Sequence, residues 1–393
     1  MKPFSLAFLL LFALAAIMAH GAVIIVTPGQ DLQVALNSAN SNDHLKILPG
    51  SFTGQYQIVD KNLTISKSGG TPNLTKLTLD GGAVTLIGLQ IGQVVSSDSS
   101  EQNGNHVVHQ CEVGNIESNT SSIIVQYSDV GNMIIYKKAT VTACTFDGAG
   151  GGGVGITVSG AGSDATVQNS VIRNYSLSTA SPINDSCIGV LVGGGATATI
   201  QNNIIHSCND KAHDGPEADS GVGVYVREVS SAKISSNIFW DCFISYKSAQ
   251  TATGRGDSLV SLSATTSGSH NVLWSKVDTR QPKPSQNVWM VNNMTRGNGS
   301  LTSSIMTDPK FVDWENGDYR LQPTSPAINA GPPDPQYKDR DGTRNDIGMF
   351  GGHNFIPDGR TTDKPIPIQL STTPAFVPTG GTVTIESTGA SVK

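Results

Sequence analysis

The chain concentrates its reactive side chains in two polar stretches. The first, SCNDKAHDGPEADS at 207–220, packs Asp210, Lys211, His213, Asp214, Glu217 and Asp219 into ten residues. The second, at 240–258, adds Asp241, Tyr246, Lys247, Arg255 and Asp257. Two chemistries use such a set. Removing the proton α to a sugar carboxylate needs a base, for which Lys211, His213, Lys247 and Arg255 are the candidates, and a cation to neutralise that carboxylate. Asp210, Asp214, Glu217 and Asp219 offer the oxygen ligands that Ca²⁺ would take in the second role. Hydrolysis of a glycosidic bond needs instead two carboxyls flanking the bond. Beside these stretches, Arg173, His206 and Trp240 recur at one place in successive copies of a repeat, and Tyr225 and Arg227 alternate onto the outer face of a neighbouring strand. Aromatic faces beside cations suit a sugar chain, the rings stacking on it and the cations holding its carboxylates.

The repeat must position all of these. It reads ATVTACTF at Ala139–Phe146, ATVQNSVI at Ala165–Ile172, ATIQNNII at Ala198–Ile205 and AKISSNIF at Ala232–Phe239, with a weaker copy at Thr266–Leu273. Apolar and polar residues alternate, which is the period of a strand with one buried face. Such a strand cannot cover that face alone, so the copies must stack as a solenoid. A second phrase, GVGITV, CIGVLV and GVGVYV, precedes later copies at fixed distance and adds a second strand per repeat. The period is 33 or 34 residues here and 16 or 17 upstream, where the excursions 171–186, 206–220 and 240–258 have no counterpart. A coil that accepts insertions at one corner and keeps its register is a parallel β-helix. Its signature is the column Cys111, Ser128, Cys144, Ser170, Asn203, Asn237 and Asn271, an expected ladder of small polar side chains. The glycine column Gly155, Gly189 and Gly223 is expected to leave an outward trough for a ligand.

These copies resemble the right-handed parallel β-helix proteins of the pectate-lyase-like superfamily. So do the entry LKILPGSF…KNLTIS and the later DPKFVDWENGDYRLQPTSPAINAG…DRDGTRNDIGMFGG. The resemblance implies an all-β, right-handed parallel β-helix solenoid with an N-terminal capping helix at Gln30–Ala39 and a C-terminal capping segment. The expected divisions are a signal peptide at 1–21, the β-helix at 22–304, the capping segment at 305–352, and a linker with a short β tail at 353–393. The implied function is a secreted carbohydrate-active protein, a polysaccharide lyase acting on a uronate-containing glycan. The alternatives are a non-catalytic surface or adhesion solenoid that binds glycans or cell-wall material, and a glycoside hydrolase. Neither the paired aspartates with Gly-His-Gly of polygalacturonases nor the Trp-Ile-Asp-His of pectate lyases is present.

Composition sets the outer bounds. The 393 residues include 43 glycines and are 14% charged, with a formal net charge of −6 that becomes −7 once Lys2 is removed with the signal peptide. This balance argues against nucleic acid as a partner. No membrane span is expected after removal of the leader, and a secreted or cell-surface monomer is expected. Cys111 and Cys144, two coils apart, are too distant for a disulfide, whereas Cys208 and Cys242 occupy equivalent places in consecutive coils, suited to a bridge or to two small apolar fillers. DRDG…D (Asp339, Asp341, Asp346) is either a further calcium site or a plain turn rich in Asp and Gly.

Overall fold

Alternation along the repeat leaves each strand one apolar face, and the computed structural model buries those faces in a parallel β-helix. Described are residues 21–97, 104–177, 187–210, 221–227, 229–242, 244–248, 265–274, 300–305, 307–339, 341–353, 366–373 and 384–390. Among them no helix is long and apolar enough to cross a membrane. The expected leader lies outside the described residues, apart from its last position.

Two long sheets form the solenoid. The first has 12 strands, running from Val23–Val26 to Ser300–Thr302. The repeat copies stack here in register, so that Ala139, Ala165, Ala198 and Ala232 align. The second sheet has 14 strands. Its early members, such as Glu112–Ser118 and Asp129–Ile135, are long and unbroken. Asp129–Ile135 then pairs through its first half with Thr145–Asp147 and through its second half with Val154–Ser159. From that coil onward the described strands are split, and two excursions depart at the gap, after Val171–Arg173 and after Ile204–His206, whereas Ile244–Ser248 of the third stretch rejoins the sheet directly against Val222–Val226. Those two depart from the middle of a sheet rather than from a corner, because both halves keep their ladder partners. The roots of two excursions pair in parallel, Ser176–Leu177 with Asn209–Asp210.

The corner between the sheets is one residue wide. Gln110, Tyr127, Ala143, Asn169, Asn202, Ser236, His270 and Ser303 all take left-handed backbone, with φ between 50 and 58°. The residue after each is the inward ladder residue. Asn203 Oδ1 accepts from the Ser170 amide at 3.0 Å, Asn237 Oδ1 from the Asn203 amide at 3.0 Å, and Asn271 Oδ1 from the Asn237 amide at 2.9 Å. Each Asn Nδ2 in turn donates to a carbonyl of the preceding coil, at Val167, Ile200 and Ile234. Ser304 continues the column by accepting from the Asn271 amide. The ladder therefore satisfies its polar atoms inside a core of Val, Ile, Leu, Phe146 and Phe239.

The helix Leu32–Ser38 starts at Asp31, whose carboxylate accepts from the Gln33 and Val34 amides, and buries Leu32 and Leu36. Its Gln33 carboxamide pairs with the backbone of Gln57, accepting from the amide and donating to the carbonyl, both at 2.8 Å. Gln57 lies in Ser51–Val59, the strand at this end of the second sheet, so a side chain occupies the place of a further strand. Lys61 Nζ donates to the carbonyls of Leu36, Asn37 and Ala39 and closes the helix's other end.

Residues 307–339 and 341–352 belong to the expected capping segment. They run along the flank of the second sheet. Phe311, Tyr319, Ala327 and Ile347 pack there on the outward residues Val171, Ile204, Ile238 and Val272 and form a second apolar core outside the helix. Asn169 and Asn202, at two of the left-handed corners, hold this segment by donating to the carbonyls of Met349, Gly351, Asp346 and Gly348.

Candidate functional site

The outward residue that follows the ladder residue changes character along the solenoid. It is Glu112, Asp129 and Thr145 in the early coils, then Val171, Ile204, Ile238 and Val272, all aligned by strand pairing. The flanking segment covers the apolar half and stops at the polar half. Between its edge and the sheet lies a cleft of about 750 Å³. Glu112, Asp129, Thr145, Asp147 and Arg173 form its floor, and Asn316, Asp318, Tyr319 and Phe350 form the opposite wall. Gly114 and Gly131 flatten the floor. They belong to a stack with Gly92, and a Cβ at either would run into the carbonyl of the preceding coil. A second pocket of about 210 Å³ shares Glu112 and Asp129 and continues around the corner to Lys67, Gln110 and Tyr127.

Arg173 is fixed at the inner end of the cleft. Its Nε donates to Asp147 Oδ2 at 2.8 Å and its Nη1 to the Tyr319 hydroxyl at 2.8 Å. The same hydroxyl lies 2.8 Å from His206 Nε2. Burial alone would lower the affinity of Arg173 for its proton, but Tyr319 and Asp147 outweigh it, so the guanidinium stays charged and is no base. Burial raises the Asp147 carboxyl, yet the Ala149 amide, Asn174 and Arg173 hold it below the usual range. His206 is pushed down to about 3, first by burial and then by the Arg173 charge, so its ring is neutral.

The expected sugar-binding row therefore exists as a row, but it is covered. Asp147, Arg173, His206, Trp240 and Trp274 align across five coils. His206 and Trp240, expected at an open mouth, are only 3% and 5% exposed, because Tyr319, Trp314 and Phe311 stack over them. Only Arg173 and Asp147 of this row reach the cleft. Tyr225 is also buried, against Leu191 and Val222, and Arg227 lies over its ring at 5.6 Å. The expected glycine trough is filled. The space beside Gly155 holds the Tyr175 ring, and that beside Gly189 holds Ile205 and Cys208.

Of the candidate bases and calcium ligands, Lys211, His213, Asp214, Glu217, Asp219 and Arg255 lie outside the described residues. Asp210 and Lys247 are placed only as backbone, in Asn209–Asp210 and Ile244–Ser248. Among the described residues no group of three His, Cys, Asp or Glu side chains could hold a metal ion. At 339–346 each carboxylate is taken up by nearby amides: Asp339 accepts from the Asp346 and Gly352 amides, Asp341 from the Thr343 amide, and Asp346 from the Asn329 amide. That segment is a turn.

The family described as right handed beta helix region matches residues 131–273. The crystal structure of pectate lyase Pel9A aligns with a TM-score of 0.52 at 12% identity, over 85% of this chain and 97% of that one. No curated protein matches the sequence. The likeness establishes the fold: the chain is a right-handed parallel β-helix.

Proposed function

Starting from that fold, we propose that the protein is an exported, carbohydrate-active β-helix protein that lays a glycan along the outer face of its second sheet. The observation that carries this reading is the cleft between Glu112–Arg173 and Asn316–Phe350, flat along its glycine floor and rich in hydrogen-bonding side chains. Four carboxylates, Glu112, Asp129, Asp147 and Asp318, face one guanidinium there. An acidic polymer is therefore expected to need Ca²⁺ to enter, whereas a neutral one is not. A lyase reading is supported by the pectate lyase that shares the fold. It requires the bases Lys211, His213, Lys247 or Arg255 of the excursions, since the described cleft contributes no neutral base of its own.

Affinity electrophoresis through gels holding a uronate polymer or a neutral glucan, each with and without Ca²⁺, tests the binding. Retardation that Arg173→Ala weakens is the expected result; unretarded migration in every gel would overturn it. Absorbance from a new double bond, followed on the same uronate polymers, separates a lyase from an adhesion solenoid. Release of reducing ends without that absorbance would identify a hydrolase.

A further inference from the structure

At the break between the half-strands of two consecutive coils, two thiols meet. Cys208 and Cys242 each stand two residues beyond a paired position, His206 opposite Trp240, and so share one height in consecutive coils. Both are buried, and neither is in a disulfide in this structure. Cys242 Sγ reaches back into the preceding coil, donating to the Ile205 carbonyl at 3.5 Å, while Cys208 Sγ donates to the His206 carbonyl at 3.8 Å. Gly189 makes room for the pair, since a Cβ there would stand 3.2 Å from Cys208 Sγ. One coil earlier the same place holds Tyr175, whose hydroxyl donates to the Gly131 carbonyl. Adjacent parallel strands are about 4.8 Å apart, within the roughly 4.4–6.8 Å between Cα atoms that a disulfide spans.

We propose that Cys208 and Cys242 are a covalent modification site: in the presence of a disulfide oxidant they form an inter-coil disulfide that ties two consecutive coils together where their strands are split. One cysteine thiolate attacks the oxidant's disulfide, forming a mixed disulfide and releasing one thiol. The second thiolate then attacks the protein sulfur of that intermediate, closing Cys208–Cys242 and releasing the other thiol. The two cysteines give up two electrons and two protons, and the oxidant gains both. Burial makes the folded thiols slow to react, so the bond forms during folding.

The test uses the full chain, refolded with oxidised and reduced glutathione, then alkylated in denaturant and mapped without reduction. The expected product is a peptide joining Cys208 to Cys242, two fewer alkylated thiols, and a Tm above that of the reduced protein. Cys242→Ser should abolish the linked peptide and the rise in Tm while melting like the reduced wild type. Five alkylated thiols after oxidation, or a peptide linking Cys187 to either residue, would overturn the proposal. Should Cys242→Ser fail to fold, Cys187→Ser serves in its place, since the Cys208–Cys242 peptide must persist in it.

Discussion

At the scale of single residues, His206 shows how the flank decides chemistry. In an open mouth it would titrate near its ordinary value, whereas under Tyr319 and beside Arg173 it is held down to about 3. The unfolded chain then binds a proton that the folded protein refuses between about pH 6.5 and 3. Stability is therefore unaffected by this group above pH 6.5 and falls as the pH drops below it, by up to about 1.4 kcal/mol per pH unit. Tm measured across this range should decline less steeply in His206→Gln than in the wild type; identical slopes would show that His206 takes up its proton in the folded state. Val229 is a second test at this scale. It is a β-branched residue with φ 55° and half its surface exposed. Val229→Asn should raise stability by about 0.5–1 kcal/mol in chemical denaturation, because Asn tolerates left-handed backbone.

At the scale of elements, the ladder links sequence to register. Asn237 accepts from the Asn203 amide and donates to the Ile200 carbonyl, so Asn237→Leu removes the partner of a buried amide and of a buried carbonyl and should cost about 1–3 kcal/mol. A melting curve unmoved by that substitution would remove the ladder from the account. The ladder was legible in the sequence because each coil repeats one side chain at one place. The cleft was not, because it needs residues 316–319 and 349–350 to fold back on coils 112–173. A signal for it existed all the same. The position after each ladder residue turns from Glu112, Asp129 and Thr145 to Val171, Ile204, Ile238 and Val272. An outward column that becomes apolar announces that something covers it. Alternation alone pointed His206 and Trp240 outward and so placed them in solvent.

At the scale of the molecule, a helix and its flank make two cores that share one sheet. Ile238 belongs to the outer one and lies under Gly348, where an added Cβ would meet its Cδ1 at 2.7 Å. Ile238→Asp should detach the flank at a cost of about 2–5 kcal/mol while the coils stay paired. Limited proteolysis after residue 307 and a red shift of Trp240 emission, with an unchanged far-ultraviolet spectrum, are the expected signs. Loss of the β spectrum would show that the cores fold as one. The split strands carry a further consequence. Both halves keep their neighbours whatever lies between them, so the seam is a place where the fold does not count residues. One residue gained at a left-handed corner would turn the following strand inside out, but a dozen gained at the seam change only what the molecule displays. Lineages of this architecture can therefore diversify their surfaces at that seam while inheriting the coil unaltered.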